Sequence, residues 1–261
     1  MATLTGSSQE VYHSVEVRKI YFSDVFDAIS KGVADFRERP THLLFLAIIY
    51  PAATLAAAIV MSNHSLLPIV FPAVSGFLLI GPIVALGMYE FSRRREQGED
   101  ISWSQGFNFL RSPGIGAISV LGTLLFVVFF LWLIAAMTIY DSTMGLVHPH
   151  FFSDFMTALF TTTQGWAMIA IGNVVGLFFA LTVFGIGVIS FPLILDRHVG
   201  VGTAVSTSIR AVVANPIVMM GWAAIVVGSL ILAAIPLLVG LAVVFPILGH
   251  ATWHLYRKVV V

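Results

Sequence analysis

Charged residues and cysteine are what this sequence has least of. The chain of 261 residues contains no cysteine, and only 10% of its residues are Asp, Glu, Lys or Arg, whereas 58% are hydrophobic. The absence of cysteine excludes disulfides, thiolate metal sites, iron–sulfur ligation and a cysteine nucleophile. A soluble domain is roughly 25% charged, so this composition places the chain among membrane proteins. A formal net charge of zero gives no reason to expect a nucleic-acid partner.

Six charge-poor stretches are each long enough to cross a bilayer as a helix. A hydrocarbon core about 30 Å thick needs roughly 20 apolar residues, and turn signals divide the charge-free stretches into pieces of that length. We therefore predict an all-α, polytopic membrane protein with six transmembrane helices. These spans lie near residues 42–62, 67–90, 114–139, 167–195, 216–235 and 237–256.

All 13 Lys and Arg residues fall on one side of this six-span topology. Basic residues in short loops mark the cytoplasmic side of a membrane protein. Residues 1–40 also lack the apolar run of a cleavable signal peptide. The sequence therefore predicts a multi-pass protein of the bacterial cytoplasmic (inner) membrane with both termini in the cytoplasm.

Each pair of spans is preceded by a short segment that ends in X-Pro, and proline disfavours a helical conformation in the residue before it. In the first segment, Ile29, Val33 and Phe36 form one apolar face, while Asp27, Lys31 and Asp35 point away from it. Ala28-Ile29-Ser30 in this segment matches Ala204-Val205-Ser206 in the third, at the same distance from proline. The three X-Pro pairs are Arg39-Pro40, Ser112-Pro113 and Asn215-Pro216.

The second spans of the first and last pairs also align, because Pro82-Ile83-Val84 matches Pro246-Ile247-Leu248. We therefore predict three tandem units, each with an interfacial amphipathic helix followed by two spans. A cytoplasmic tail, residues 1–22, precedes a single membrane domain, residues 23–261. Its repeat units cover approximately residues 23–95, 102–198 and 199–258.

Ionisable side chains within spans are costly, so each is a candidate functional group. His250 and His254 are spaced i, i+4 on one helical face and could offer two nitrogens to a metal or a haem. The repeat alignment places Glu90 at the position of His254. It also places Asp196 at the position of His250. If the even-numbered spans meet around a central axis, one polar cluster forms near the cytoplasmic mouth, comprising Glu90, Asp196, Arg197, His198, His250 and His254.

A second interpretation of these side chains is structural. They could lie at the level of the lipid headgroups, where they bond loop backbone and cap helix ends, with Tyr89, Trp253 and Tyr256 as an aromatic belt. A zinc or copper site would also need a third ligand, which the sequence does not identify.

Two further groups carry polar chemistry outside the predicted spans. Arg93, Arg94 and Arg95 could contact anionic lipid headgroups or an acidic patch of a partner, although they could equally serve only to fix the topology. On the opposite side of the membrane, histidines and carboxylates that could bind zinc or copper share one loop. They are Asp141, His148, His150 and Asp154.

Three long strings of residues carry a resemblance to a family. They are residues 71–103 (FPAVSGFLLIGPIVALGMYEFSRRREQGEDISW), 190–216 (SFPLILDRHVGVGTAVSTSIRAVVANP) and 246–258 (PILGHATWHLYRK). Over about residues 20–258 the chain resembles an uncharacterised family of predicted bacterial integral membrane proteins, filed as a domain of unknown function. Some members carry the label cytochrome c oxidase subunit I. A haem–copper catalytic subunit needs six histidine ligands for two haem irons and a copper, but only His250 and His254 lie well within a predicted span. We therefore do not expect the chain to be that catalytic subunit.

The first functional hypothesis is therefore a non-catalytic accessory or scaffold component of a larger membrane assembly, for which a respiratory oxidase is a candidate. Its partners would be the lipid bilayer and other membrane subunits. The alternative is a small carrier or channel for a metal ion or small solute that uses the polar cluster. A membrane enzyme comes third, because the sequence has no Walker A, H-E-x-x-H, nucleophile-elbow or dinucleotide motif. No cofactor is indicated.

Overall fold

The computed structural model describes residues 15–38, 40–62, 70, 72–74, 76, 81–99, 103–145 and 151–261. Within these ranges the secondary structure is helical, apart from turns and one isolated antiparallel bridge between Val17 and Val260. The predicted all-α fold is confirmed. In chain order the helices are α1 (Phe22–Glu38), α2 (His42–Ser62), α3 (Gly81–Val84), α4 (Leu86–Glu96), α5 (Ile115–Met144), α6 (Phe152–Thr161), α7 (Thr163–Gly187), α8 (Ser190–Arg197), α9 (Val201–Ala214), α10 (Pro216–Ala234) and α11 (Leu241–Val259), with a 3-10 segment, Trp103–Arg111, between α4 and α5.

Three helical stretches of the described residues are long and apolar enough to cross a membrane: Ile115–Met144, Thr163–Arg197 and Pro216–Ala234. They coincide with the predicted third, fourth and fifth spans. No more than a third of each apolar window is buried within the protein, so most of this surface needs a lipid environment. The structure thus supports an integral membrane protein.

The first, second and sixth predicted spans are not among these three stretches. The first coincides with α2, and much of the second falls outside the described residues. The sixth coincides with α11, whose second half is buried and carries His250 and His254. The six-span arrangement therefore stays a prediction.

The helical stretch Thr163–Arg197 is interrupted between α7 and α8. Proline lacks a backbone N–H and clashes with the preceding turn of a helix, and Pro192 lies in the first turn of α8. The Ile189 N–H at the break donates a hydrogen bond to Ser208 Oγ of α9, at 3.2 Å. The buried donor that the break leaves open is thus satisfied by another element.

Helices α4, α8 and α11 meet at the end of the molecule where the basic residues lie, which we call the basic end. Gly249 of α11 allows a close approach to α4, because a Cβ at this position would lie 3.0 Å from Met88 Cβ. We call this meeting point the hub. Large side chains that are almost completely buried fill it, among them Leu86, Tyr89, Phe191, Leu193, Leu195, Trp253 and Tyr256.

Around the hub lies a collar of three amphipathic elements, which we define as α1, the 3-10 segment and α9. Helix α1 packs on α11, the 3-10 segment packs on α4, and α9 packs on α7 and α8. The 3-10 segment and α9 therefore each contact the second span of the preceding predicted unit. Helix α1, which opens the first unit, contacts the second span of the third unit. The division into three tandem units stays a prediction.

Helix α1 docks through a narrow stripe of side chains, comprising Val25, Ala28, Gly32 and Asp35. Gly32 is required there, because a Cβ would lie only 2.7 Å from the Ala251 backbone nitrogen. The prediction that Asp35 points away from the packed face is wrong. The apolar face of Ile29, Val33 and Phe36 is only partly buried, because small residues permit the closer helix contact.

The segment before α1 is fixed to the C-terminal residues. The Arg18 N–H donates to the Val259 carbonyl at 3.0 Å, and the Val261 N–H donates to the Glu16 carbonyl at 3.2 Å. The described part of the predicted tail, residues 15–22, is therefore packed against the membrane domain.

Candidate functional site

Asp35 is the centre of a buried polar cluster at the basic end. Its position one turn after Gly32 places it on the docking stripe of α1, where only 5% of the residue is exposed. Asp35 Oδ2 accepts a hydrogen bond from Ser92 Oγ of α4 at 2.5 Å and lies 2.8 Å from His254 Nε2 of α11. Asp35 Oδ1 pairs with Arg95. One carboxylate therefore joins α1, α4 and α11.

The two histidines of α11 lie on one face, as their spacing predicts, but they have different surroundings. His254 lies between two carboxylates, with Nε2 facing Asp35 and Nδ1 at 3.4 Å from Glu96 Oε1. His250 lies one turn further from the basic end, with Nδ1 at 2.8 Å from Ser92 Oγ. Its Nε2 has no hydrogen-bond partner among the described residues. We call Asp35, Ser92, Glu96, His250 and His254 the Asp35 cluster.

Arginines connect the Asp35 cluster to the surface. Glu96 Oε2 lies 3.2 Å from Arg257 Nε, and Arg257 Nη1 lies 3.3 Å from Asp196 Oδ2 of α8. The side chains of Glu96 and Arg257 are 34% and 45% exposed. A continuous series of polar contacts therefore leads from buried His250 to solvent at the rim of the basic end.

The environment keeps both carboxylates of the cluster ionised. Burial raises the pKa of Asp35, but hydrogen bonds from His254 and Ser92 and the contact with Arg95 outweigh this effect and bring its pKa to about 2. Burial also raises the pKa of Glu96, but His254 and Arg257 lower it below its usual value. The buried charge of Asp35 is therefore paired, which is the condition for keeping a charge away from water.

The predicted cluster of even-numbered spans separates into distinct groups. Glu90 is buried and pairs with two arginines of its own helix, with 2.9 Å to Arg93 and 2.7 Å to Arg94. Asp196 accepts a hydrogen bond from Tyr256 at 2.5 Å and is linked to Glu96 of the Asp35 cluster through Arg257.

Arg197 and His198 contact residues outside the Asp35 cluster. Arg197 Nη1 donates to the Val261 carbonyl at 2.8 Å. His198 ends α8 in a left-handed conformation, with φ of 54°, and its Nδ1 lies 3.4 Å from Ser112 Oγ.

The three consecutive arginines all pair with carboxylates of this chain. Arg93 and Arg94 hold Glu90, and Arg94 also lies 2.7 Å from Glu99. Arg95 contacts Asp35 and lies 2.7 Å from Glu38. Their predicted contact with lipid or with a partner stays a prediction, and the contacts favour an internal role.

The metal site at His250 and His254 stays a prediction. Among the described residues, no group of three or more His, Asp or Glu side chains is arranged to hold a metal. Both nitrogens of His254 already face carboxylates. The predicted loop ligands His148 and His150 lie outside the described residues, and Asp154 accepts a hydrogen bond from the Phe151 N–H at 3.3 Å at the start of α6.

Sequence reasoning missed Asp35, Ser92 and Glu96 as site residues. Ser92 and Glu96 lie beyond the predicted second span, where polar residues are expected. The signal that could have identified Asp35 is the stripe of small residues, Ala28 and Gly32, on the same face of α1, because such residues mark close helix contacts.

Comparison with known proteins supports the membrane assignment. Residues 70–196 match the model of a family described as predicted integral membrane protein (DUF2189). The resemblance to an uncharacterised membrane family is therefore confirmed for this segment, which includes α4 and all but the last residue of α8 and excludes α1 and α11. No curated protein and no solved structure matches the chain.

Proposed function

We propose that this integral membrane protein is a non-catalytic, multi-pass component of the bacterial inner membrane that serves as an accessory or scaffold subunit of a larger membrane assembly. Both termini and the basic end would face the cytoplasm, and a respiratory oxidase is the first assembly to test. The packing of the hub carries this proposal.

The hub lies where a carrier built from three repeats would need its substrate path. Phe191, Leu193, Trp253 and Tyr256 are buried there almost completely. Buried aromatic side chains at this density leave a dry, rigid core. The ionisable groups lie beside the hub and pair with each other and with α1. Their arrangement supports a role in fixing the collar.

The collar supplies the surface for assembly. Each of its elements exposes large apolar side chains next to its docking face, including Phe26 on α1, Phe107 and Leu110 on the 3-10 segment, and Ile209 and Val213 on α9. Amphipathic helices with this distribution lie in the membrane interface. A collar fixed at that depth presents the basic end in one orientation, which is what a scaffold subunit requires.

Native mass spectrometry of the tagged protein, purified from its own membranes in mild detergent, tests the assembly. We expect a complex of defined mass that contains respiratory subunits in fixed stoichiometry. Deletion of the gene should reduce the abundance of the same complex on native gels. Recovery of the chain alone, together with an unchanged complex in the deletion strain, would contradict the proposal.

A small carrier or channel is the second candidate, and the polar series from His250 to the rim favours it. Groups that exchange protons in sequence can form a relay in a membrane protein. Proton flux through purified protein in liposomes, followed with a trapped pH-sensitive dye, tests this function. His250→Leu should abolish the flux, whereas the matched control Asp27→Asn should not change it. Equal flux with protein-free liposomes would exclude the relay.

A further inference from the structure

We propose that the Asp35 cluster is a proton-operated latch: His254 carries a proton on both ring nitrogens, bridges Asp35 of α1 and Glu96 of α4, and releases α1 from the hub when one of these protons is lost. The proposal adds a conformational role to the cluster. It stands independently of the proposed accessory function, because it concerns only contacts within this chain.

The two ring nitrogens of His254 point towards different carboxylates. Nε2 lies 2.8 Å from Asp35 Oδ2, and Nδ1 lies 3.4 Å from Glu96 Oε1. An ionised carboxylate only accepts hydrogen bonds, and a neutral imidazole has a single N–H. A neutral ring would therefore turn a lone pair towards one carboxylate at a largely buried position. Only the doubly protonated ring turns a positive N–H towards each carboxylate.

The charges of the neighbouring helices require the same proton. Four carboxylates lie in the linked network: Asp35 and Glu38 on α1, Glu96 on α4, and Asp196 on α8. Three guanidinium groups, Arg95, Arg197 and Arg257, face them, with Arg197 Nε at 4.0 Å from Asp196 Oδ2. Helices α2 and α10 contain no Asp, Glu, Lys or Arg. The positive ring of His254 therefore supplies the fourth cation against these four carboxylates.

Within the part of the chain that the structure describes, polar contacts link this site to solvent at the basic end. The Glu96 side chain, 34% exposed, connects His254 to the rim of the basic end. On the inner side, Ser92 Oγ lies within hydrogen-bond distance of both Asp35 and His250, and His250 is almost fully buried. The proton on His254 therefore responds to the pH at the basic end.

Loss of the proton would weaken the docking of α1 specifically. Asp35 would keep Ser92 and Arg95, with His250 Nδ1 at 3.8 Å. The carboxylates of Asp35 and Glu96 would lie on either side of an uncharged ring. A buried carboxylate that loses a charged partner is strongly destabilised. Because α1 brings Asp35 into the site, the helix can relieve this cost by undocking.

Thiol labelling in this cysteine-free chain tests the latch. Val25→Cys places a thiol on the docking stripe, where Val25 is fully buried, and Ser30→Cys places one on the exposed side of the same helix. The ratio of their maleimide reaction rates cancels the intrinsic pH dependence of a thiol. We expect this ratio to rise about tenfold or more between about pH 6 and pH 9, as local opening of α1 increases.

Two variants identify the group responsible. In the His254→Gln background the ratio should no longer depend on pH, whereas in the matched Asp27→Asn background the rise should persist. Asp27 lies on the same helix in an exposed pair with Lys31. A ratio that stays constant with His254 present, or a rise that persists without His254, would overturn the proposal.

Nitrogen-15 NMR of histidine-labelled protein in lipid nanodiscs gives a second measurement that does not require the cysteine variants to fold. The His254 signal, identified by its absence in His254→Gln, should show two protonated ring nitrogens at about pH 7. The same signature should be lost in Asp35→Asn. A neutral ring at that pH in the unsubstituted protein contradicts the latch.

Discussion

Helices α1 and α9 dock on their neighbours in related ways but with different chemistry. In the alignment that matches Ala28 with Ala204, Gly32 corresponds to Ser208 and Asp35 to Ala211. The stripe of α9 is small and uncharged, and Ala204, Ser208 and Ala211 are all buried. The stripe of α1 ends in a buried carboxylate that faces two histidines.

This difference shows that docking of a collar helix does not require charge. Helix α9 is fixed by apolar packing and by the hydrogen bond from Ile189 N–H to Ser208. A buried ionic cluster carries a desolvation penalty that well-packed apolar residues avoid. The Asp35 cluster therefore makes the docking of α1 sensitive to pH, which apolar packing alone would not do.

Replacement of Asp35 by alanine, the residue at the corresponding position of α9, should give the largest loss of stability. Asp35→Ala leaves His254 and Arg95 without their carboxylate, and we expect the free energy of unfolding to fall by about 3 kcal/mol. Titration with SDS in detergent micelles, followed by tryptophan fluorescence, measures this change. A loss below about 0.5 kcal/mol would mean that α1 docks as α9 does, by packing alone.

Acid should weaken the docking of α1 but not that of α9, and the expected loss of stability is somewhat smaller than that of Asp35→Ala. The pKa of Asp35 is about 2 in the folded protein, below its ordinary value of 3.8, so its contribution is complete above about pH 4 and is lost as the pH falls through about 2. The shift corresponds to about 2 kcal/mol. The lowered pKa of Glu96 acts in the same direction.

The control for the acid prediction lies in α9, whose docking stripe has no carboxylate. Hydrogen exchange at low pH should show earlier opening of α1 than of α9. Simultaneous opening of both helices would remove the distinction between them.

Loss of the hydroxyl group on α9 should have a moderate effect. Ser208→Ala removes the acceptor for the buried Ile189 N–H, and we expect a loss of about 1 kcal/mol that does not vary between neutral and acid pH. Ser206→Ala, on the exposed side of the same helix, is the matched control and should be neutral. The free energy of unfolding of both variants measures the difference.

The smallest effect is expected on the exposed side of α1. Asp27 pairs with Lys31 at 3.1 Å and with Lys258 at 2.8 Å, but its side chain is 40% exposed. Exposed pairs contribute little, so Asp27→Asn should change the free energy of unfolding by less than about 0.5 kcal/mol. A larger loss would place the fastening of α1 outside the Asp35 cluster.

Much of the fold follows from the distribution of charge. Helices α5 and α10 lie where long charge-free runs predict spans, and Pro216 begins α10 as the repeat of X-Pro pairs indicates. The rotation of a helix about its own axis, which determines the face that is buried, is harder to predict from the sequence. Helix α1 has several stripes that could be buried, and the pattern of hydrophobic residues favours the one that is only partly buried.

The site was predictable only in part, because sequence spacing shows which side chains share a face but not what faces them. The i, i+4 spacing of His250 and His254 placed both on one side of α11. Their partner Asp35 is 219 residues away from His254, and no local pattern links the two. Glu90 pairs instead within its own helix, where Arg93 and Arg94 at i+3 and i+4 are its nearest possible partners.

A double-mutant cycle between Asp35 and His254 tests most directly whether α1 is fastened by this ion pair. The free energy of unfolding would be measured for Asp35→Ala, His254→Leu and the double variant at about pH 7. We predict a coupling free energy of about 2 kcal/mol, because the double variant removes both charges and resembles the uncharged docking of α9. Additive effects, within about 0.5 kcal/mol, would contradict the latch.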